Sequence, residues 1–572
     1  MRMDQPAKDW QKECLPIGNG RMGCMIYGGV DKEHIQFNED TVWIGDEGDT
    51  GSYQAFGDLY IELIHPGPAA GASESEASGS YRRELNIDKA LHTISYRKNG
   101  VAYTREYFAS HPAEVQVFRL TADKKGAYTG TLWLKDAHGG GVKAAGNKLS
   151  FSGTLSGTYR DPNKNYAIQL QYEAQAIVIH EGGSIEATAG KIAFKGCDSL
   201  MVMLNGGTDY SNQRERGWKQ EHPHKRITQS LADASQRSFD ELLKEHVDDY
   251  QKLFNRVTLD LGQTSNDITS LTTKERLDCY RGSKVEHQVG ASMKQANIDM
   301  TGGASDPALE EMIFQFARYL MISSSRPGCM PANLQGLWNN SNNPPWRCDY
   351  HSDVNIQMNY WFVDQANLSD CFTPLSEWLY SVVPVKREAT KEAFGARGWA
   401  HRAENGVFGG ASFKWYLGDA AWIMQNIWDH YAFTQDKTYL RTRAYPLLKE
   451  LCEFWEDTLI ERPDGKLVSP KSQSPEHGPE AEGNSYEQQL VYDLFTNYIE
   501  ASLALGVDEA FRKSVESMRS RLLGPQIGKW GQLQEWAEDR DDPNDKHRHL
   551  SHLIAVHPGR QISPVATPKL AE

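Results

Sequence analysis

The sequence predicts an α+β chain of several domains: a large antiparallel β super-sandwich first, then a helical unit of the α/α-barrel kind. Three observations predict it. The chain has 572 residues, several times the usual domain length of about 100 to 150 residues. Short runs alternating apolar with polar residues, separated by turn residues, fill residues 14–205. Beyond residue 306 the apolar positions recur at three- and four-residue spacing instead.

Taken in order, residues 14–46 read as strands between Gly-rich turns, in LPIGNGRMG, CMIYGG and EHIQFNEDTVWIGD. In ISYRKNGVAYTREYFAS, Asn99-Gly100 between two alternating runs signals a hairpin. Further strands are predicted at 128–135, 148–155, 166–173, 176–180, 185–189 and 199–205, enough for a large sandwich. A helix at 238–255 and a last strand at 257–261 complete a first domain of residues 1–262. Residues 263–305 are polar and mixed, and read as a linker. Helices are then predicted at 307–322, 354–364, 374–394, 420–434, 440–459, 486–505 and 508–522. Helix pairs joined by long decorated loops suggest an α/α barrel over 306–572, with a site built by loops at one end. No repeat of about 33 to 45 residues recurs, which argues against an open solenoid.

Composition removes several function classes. With 61 Lys and Arg against 76 Asp and Glu, the formal net charge is -15, which argues against nucleic acid or an anionic membrane as partner. The eight cysteines form no CxxC pair, so neither a zinc ribbon nor a dithiol redox motif is present. No apolar run approaches the ~18 residues of a membrane span. Residues 1–16 are charged rather than signal-like, leaving a cytoplasmic protein or one whose signal has been removed, periplasmic or secreted in its native form. No cofactor is expected.

Residues 335–361, QGLWNNSNNPPWRCDYHSDVNIQMNYW, are too polar for a core and too aromatic for a linker. Trp338, Trp346, Tyr350 and Trp361 offer flat apolar faces, while the asparagines, Arg347, Asp349, His351 and Asp353 offer donors and acceptors. That mixture suits a ligand covered in hydroxyls, such as a sugar. The competing reading makes Trp338 and Trp361 core residues flanking a plain Asn/Pro loop.

Three more loops carry candidate chemistry. In SPKSQSPEHG, residues 469–478, Pro475 forbids a continuing helix and presents Glu476 from a loop; the alternative is a first-turn or surface acid. In residues 533–563 six acids precede His547, Arg548, His549 and His552. His-x-His-x-x-His can bind zinc, yet carboxylates and histidines also line sugar pockets without metal, and the metal-free reading is preferred. Residues 409–422 bring Trp415 and Trp422, which pack helices or face a ligand. A glycosidase needs an acid on one side of the scissile bond and a base or nucleophile on the other, and these loops contain both. Asp353 and Asn355 would point about 200° apart in a regular helix, so they share a site only if they precede one. Ser352 or Asp353 as an N-cap is the purely structural version.

At these residues the sequence resembles the family 95 glycoside hydrolases, inverting α-L-fucosidases that act on α-1,2 linkages. The likeness runs through LPIGNGRMG, FNEDTVW, REYFASHP, PANLQGLWNNSNNPPWRCDYHSDVNIQMNYW, SPEHG, QEW, HRHLSHL and HPG. It implies an N-terminal β super-sandwich, a helical linker, an (α/α)6 barrel and a C-terminal β domain. It implies Glu476 as general acid, Asn355 as the asparagine that positions water, and Asp539 as the carboxylate that polarises it, with Asp541 and Asp542 as near alternatives. It makes His351 a sugar contact, joined as expected substrate-binding residues by Trp338, Trp346, Trp415, His547, His549 and His552. Asp353 stands where the family usually has a second asparagine. A carboxylate there can take the water's proton directly or bond a different sugar hydroxyl, as in an α-L-galactoside. The expected partner is therefore a fucosylated or L-galactosylated oligosaccharide. About eight helices are counted where twelve are expected, so the barrel is expected to be incomplete, with apolar helix faces exposed. Two alternatives remain: an inverting phosphorylase, which shares this plan, and a sugar-binding protein without catalysis.

Overall fold

The structure, a computed structural model, describes residues 1–65, 81–159, 161–282 and 305–572. Two antiparallel sheets form the N-terminal sandwich. The nine-stranded sheet runs, edge to edge, through Arg2–Met3, Arg82–Asn86, Leu91–Lys98, Val101–Ser110, Val115–Ala122, Ser199–Thr208, Gln171–Glu181, Lys148–Thr154 and Lys143–Ala145. The seven-stranded sheet runs through Ser184–Thr188, Lys191–Cys197, Tyr128–Asp136, Gly57–Leu63, Lys32–Glu39, Met22–Ile26 and Leu15–Gly18. Inward-facing Ile35, Phe37, Leu59, Ile61, Leu132, Tyr107, Phe118 and Phe151 fill the space between them. At the predicted hairpin Val101 pairs with Lys98, and Asn99 and Gly100 take φ of 54° and 75°, the left-handed pair a two-residue turn requires.

Three strand expectations change. The runs at 166–173 and 176–180 give a single strand, Gln171–Glu181, with 166–170 irregular ahead of it; the strand is buried almost throughout because helix His224–Ser235 covers its outer face. A strand buried on both faces shows no alternation, and its two ends read as separate pieces. Lys191–Cys197, absent from the sequence reading, pairs between Ser184–Thr188 and Tyr128–Asp136. Residues 257–261 are irregular rather than a closing strand. The predicted helix is present as Phe239–Phe254, with Ser238 and Glu241 forming a capping box. The described part of the expected linker holds short helices Asn266–Thr269 and Thr273–Tyr280; residues 283–304 lie outside the described residues.

Among the described residues from 305 onward, the main helices are Pro307–Ser324, Asn355–Trp361, Thr373–Phe394, Gly418–Thr434, Tyr445–Thr458, Ser485–Leu505 and Glu509–Arg521. Ser485–Leu505 packs against Gly418–Thr434, Tyr445–Thr458 and Glu509–Arg521, and most of its residues are buried, as befits a central helix. Ile313, Met358, Phe433 and Leu503 remain exposed on this layer. The two halves interlock: Tyr319 Oη donates to Pro16 O over 2.6 Å, Tyr53 Oη to Leu337 O over 2.8 Å, and Trp338 Nε1 to Ile17 O over 3.0 Å.

Candidate active site

The loop that enters helix Asn355–Trp361 is moulded on the sandwich. Gln36 Nε2 donates to Asn339 O over 2.9 Å, and Asn339 N donates to Asn38 Oδ1 over 2.9 Å. Trp346, Arg347 and Cys348 follow with φ of 47°, 57° and 52°, a left-handed run costly for residues with a Cβ. Side-chain anchors hold it: Arg347 Nη1 bonds both Asp49 oxygens at 3.0 Å, and Cys348 Sγ lies 3.1 Å from Asn333 Oδ1.

A fourth strained residue sets the site. Val354 has φ 91° and ψ −32°, a rare conformation for a β-branched side chain. It occupies the N-cap position with no side-chain cap bond, so neither Ser352 nor Asp353 caps the helix. Ser352 Oγ is instead directed to Arg402 O and Ala403 O, both at 3.2 Å. The reversal at Val354 resolves the 200° problem, because Asp353 and Asn355 line one cavity of about 470 Å³. His351, Trp346, Gln335 and Gln11 share its wall, as do Glu476, Arg548 and His549.

Glu476 comes from the loop between strand Leu467–Val468 and helix Ser485–Leu505. The SPEHG glycine has a local reason: Gly478 takes φ 73°, and a Cβ there would lie 2.3 Å from the Trp536 ring. Ser474 Oγ donates to Glu535 Oε1 over 2.6 Å, and Ser551 Oγ donates to Pro475 O, tying this loop to the histidine-rich one. Arg548 Nη2 reaches Glu476 Oε2 at 2.7 Å, and His549 Nε2 lies 3.3 Å from the same oxygen.

The electrostatics separate the acids. Burial, followed by the negative charge of Glu476, pushes the Asp353 carboxyl up to about 7, with His351 and Arg548 opposing. Burial likewise raises Asp349 to about 6 although His351 Nδ1 donates to it at 3.2 Å. Burial alone would discharge the His351 imidazolium, but the Asp349 hydrogen bond and charge hold its pKa above the ordinary value. Behind Asp353, Asp419 is raised by complete burial and by Asp353 itself, and it accepts from Tyr486 Oη.

The remaining predicted residues divide. Trp346 is 70% exposed and lines the cavity. Trp338 does not face sugar: it is buried with Ala7, Cys14, Met25 and Leu337, its indole N–H satisfied by Ile17 O. Trp415 packs edge-on against Phe394, with centroids 5.0 Å apart, and is not among the cavity's lining residues. His547 and His552 line an adjoining cavity of about 330 Å³, and His549 lines both. The structure does not bring Asp539 to the Glu476 cavity: its carboxylate accepts from Lys529 N at 2.6 Å and Gln532 Nε2 at 3.1 Å, facing its own loop. Asp541 and Asp542 line the adjoining cavity with Glu535. Glu535, one of six acids that sequence alone does not tell apart, is buried; burial opposes its charge, but bonds from His552 and Ser474 keep its pKa below the ordinary value. No group of three or more His, Cys, Asp or Glu among the described residues has metal-holding geometry.

Two carboxyl groups of unlike environment, an amide, a histidine and an exposed tryptophan around one open cavity define a carbohydrate-cleaving class of site. The comparisons with known proteins agree. Residues 238–572 match the glycosyl hydrolase family 95 catalytic domain, and residues 1–213 match the glycosyl hydrolase family 65 N-terminal domain in two overlapping segments. The chain belongs to glycosyl hydrolase family 95. It is 29% identical to alpha-L-fucosidase 2 of Arabidopsis thaliana, over 99% of this chain and 72% of that protein. It is 31% identical to a probable alpha-fucosidase A of Aspergillus niger, over 96% of this chain and 73% of that protein. In fold it is similar to a putative kojibiose phosphorylase from the human microbiome, at 12% identity and TM-score 0.53, covering 91% of this chain and 69% of that one.

Proposed function

We propose that the chain hydrolyses a terminal α-linked L-fucose, or a related sugar such as L-galactose, from an oligosaccharide with inversion at the anomeric carbon. The observation that carries this reading is the placement of Glu476 and Asp353 on one cavity from two separate loops, with the Asp353 carboxyl raised to about 7 partly by Glu476. Glu476, on the more open side, protonates the departing oxygen. Asp353 and Asn355, at the strained turn, hold and deprotonate the attacking water, while His351, fixed by Asp349, and Trp346 contact the sugar. The identities of the two curated relatives support fucose as the sugar removed.

One observation favours the opposite division of labour. Asp353 is the group whose pKa lies near 7, as suits an acid, whereas Glu476 already contacts the Arg548 guanidinium. Leaving-group dependence decides between them. The variant lacking the general acid keeps its rate on 2,4-dinitrophenyl glycosides, whose leaving group needs no proton, and the variant lacking the base loses it on every substrate.

The test of the function is proton NMR of the anomeric region during turnover of 2'-fucosyllactose, with Glu476→Gln alongside. Immediate appearance of β-L-fucose, absent in the variant, is expected. The α anomer as first product overturns inversion, and turnover that depends on added phosphate assigns a phosphorylase instead. Release of L-galactose but not fucose reassigns the sugar. Sugar binding without any release reduces the chain to a binding protein.

A further inference from the structure

The outer face of the seven-stranded sheet carries an unusual row of rings. His34, Tyr60 and Trp133 are cross-strand neighbours on Lys32–Glu39, Gly57–Leu63 and Tyr128–Asp136, with His34 in register with Tyr60 and Tyr60 in register with Trp133. Tyr27 stacks on His34 at 4.3 Å, His34 on Tyr60 at 4.5 Å, and Tyr60 on Trp133 at 5.2 Å. The intervening residues Ile35, Leu59, Ile61, Leu132 and Leu134 point into the core, so the row faces outward. Lys32 and Lys191 lie over the Trp133 end, at 5.4 Å and 4.3 Å from its ring.

At the Tyr27 end the row meets a cavity of about 340 Å³, within the range of about 300–1,000 Å³ found for ligand pockets. Trp10 closes one side, its indole N–H donated to Gln36 Oε1 at 3.0 Å. Asp58, which accepts from His34 Nε2 at 2.6 Å, and Lys135 supply charge; Asn340 supplies an amide, while the Asn342 amide is tied to Ala55 N and Ala137 O. The same two chain segments build the wall of the catalytic cavity: Trp10 lines this pocket and Gln11 the other, Asn340 and Asn342 line this pocket and Pro345 and Trp346 the other. The walls of the two cavities therefore draw on the same two segments, residues 10–11 and 340–346.

We propose that this pocket is a second carbohydrate-binding site, one that holds neutral sugar units of a glycan chain on the sandwich beside the catalytic cavity. Flat rings at Trp10 and Tyr27 take the C–H face of a pyranose, and Asp58, Lys135 and Asn340 take its hydroxyls. A row that served only to pair strands would need neither the cavity nor the polar rim around it.

Saturation-transfer NMR on the intact chain tests this with three neutral probes lacking fucose: lacto-N-tetraose, maltopentaose and cellopentaose. No probe contains the sugar assigned to the catalytic cavity, so failure of the fucosidase reading leaves this test standing. Transfer to at least one probe is expected, undiminished in Glu476→Gln and weakened about ten-fold or more in Trp10→Ala and in the milder Asp58→Asn, with Asp58→Asn keeping the wild-type melting temperature. Transfer to none of the three, or equal affinity in Asp58→Asn and Trp10→Ala, overturns the proposal.

Discussion

Arg548 reaches back 72 positions along the chain to bond Glu476 at 2.7 Å, and its charge also bears on Asp353. One exposed guanidinium thus connects the two carboxyls of the cavity. Replacing it by leucine removes a cation that favours the Asp353 carboxylate, so the Asp353 pKa rises further. The limb of the pH profile of kcat/KM that Asp353 governs is expected to shift to higher pH in Arg548→Leu; an unmoved profile would detach Arg548 from the acid–base pair.

Asp353 also links stability to pH. Its carboxyl is raised in the folded chain from the ordinary 3.8 to about 7. Between those values the unfolded chain has already lost the proton that the folded chain keeps, so stability falls as pH rises from 3.8 to about 7 and is level above it. Asp353→Asn has no such loss. Its melting temperature is expected to match wild type near pH 4 and exceed it at pH 7.5, with an upper bound of about 4 kcal/mol. The same variant is expected to lose about 10²- to 10⁴-fold in kcat. Thermal melts at the two pH values check the first claim.

Val354 offers a separation of stability from function. Glycine accepts φ of 91° without strain, so Val354→Gly is expected to keep or raise the melting temperature while kcat falls, because Asp353 and Asn355 are no longer held at a fixed angle. A lower melting temperature with unchanged kcat would show the strain to be incidental.

The two loop tryptophans should part company. Trp338→Ala is expected to destabilise the fold by about 3–5 kcal/mol in denaturant titration, as for any buried indole. Trp346→Ala is expected to leave stability unchanged and raise KM on oligosaccharide about ten-fold, since its ring stands in the cavity mouth.

Dialysis against a chelator is expected to leave turnover unchanged, the His547, His549 and His552 run acting through sugar and carboxylate contacts rather than zinc. Loss of activity restored by zinc would reverse that assignment.

What the sequence disclosed was local. Asn99-Gly100, the alternation in Val101–Ser110 and the spacing in Phe239–Phe254 each reflect contacts within a few residues, and each is where it was expected. Trp338 and Trp346 are the same residue eight positions apart in one motif, and nothing nearby distinguishes them. What separates them is Ile17, 321 positions away, which takes the Trp338 indole proton. The misplacing of Asp539 and the missing of Glu535 have a similar reason: the six acids between 535 and 545 look alike until the folded loop turns one toward Ser474 and another toward Lys529. The positive φ at Val354 has no sequence signal at all, because valine is among the last residues expected there.

The moulding of the 335–361 loop on the sandwich bears on how such a chain can change over generations. Ile17, Gln36, Asn38 and Tyr53 grip the strap that carries His351, Asp353 and Asn355, and Gln11 stands in the catalytic wall itself. A sandwich borrowed from a distant cousin would bring its own contours and leave the strap with nothing to set against. A substitution at any of these contacts, on either side of the seam, therefore bears on the course of the strap and through it on where the catalytic side chains stand.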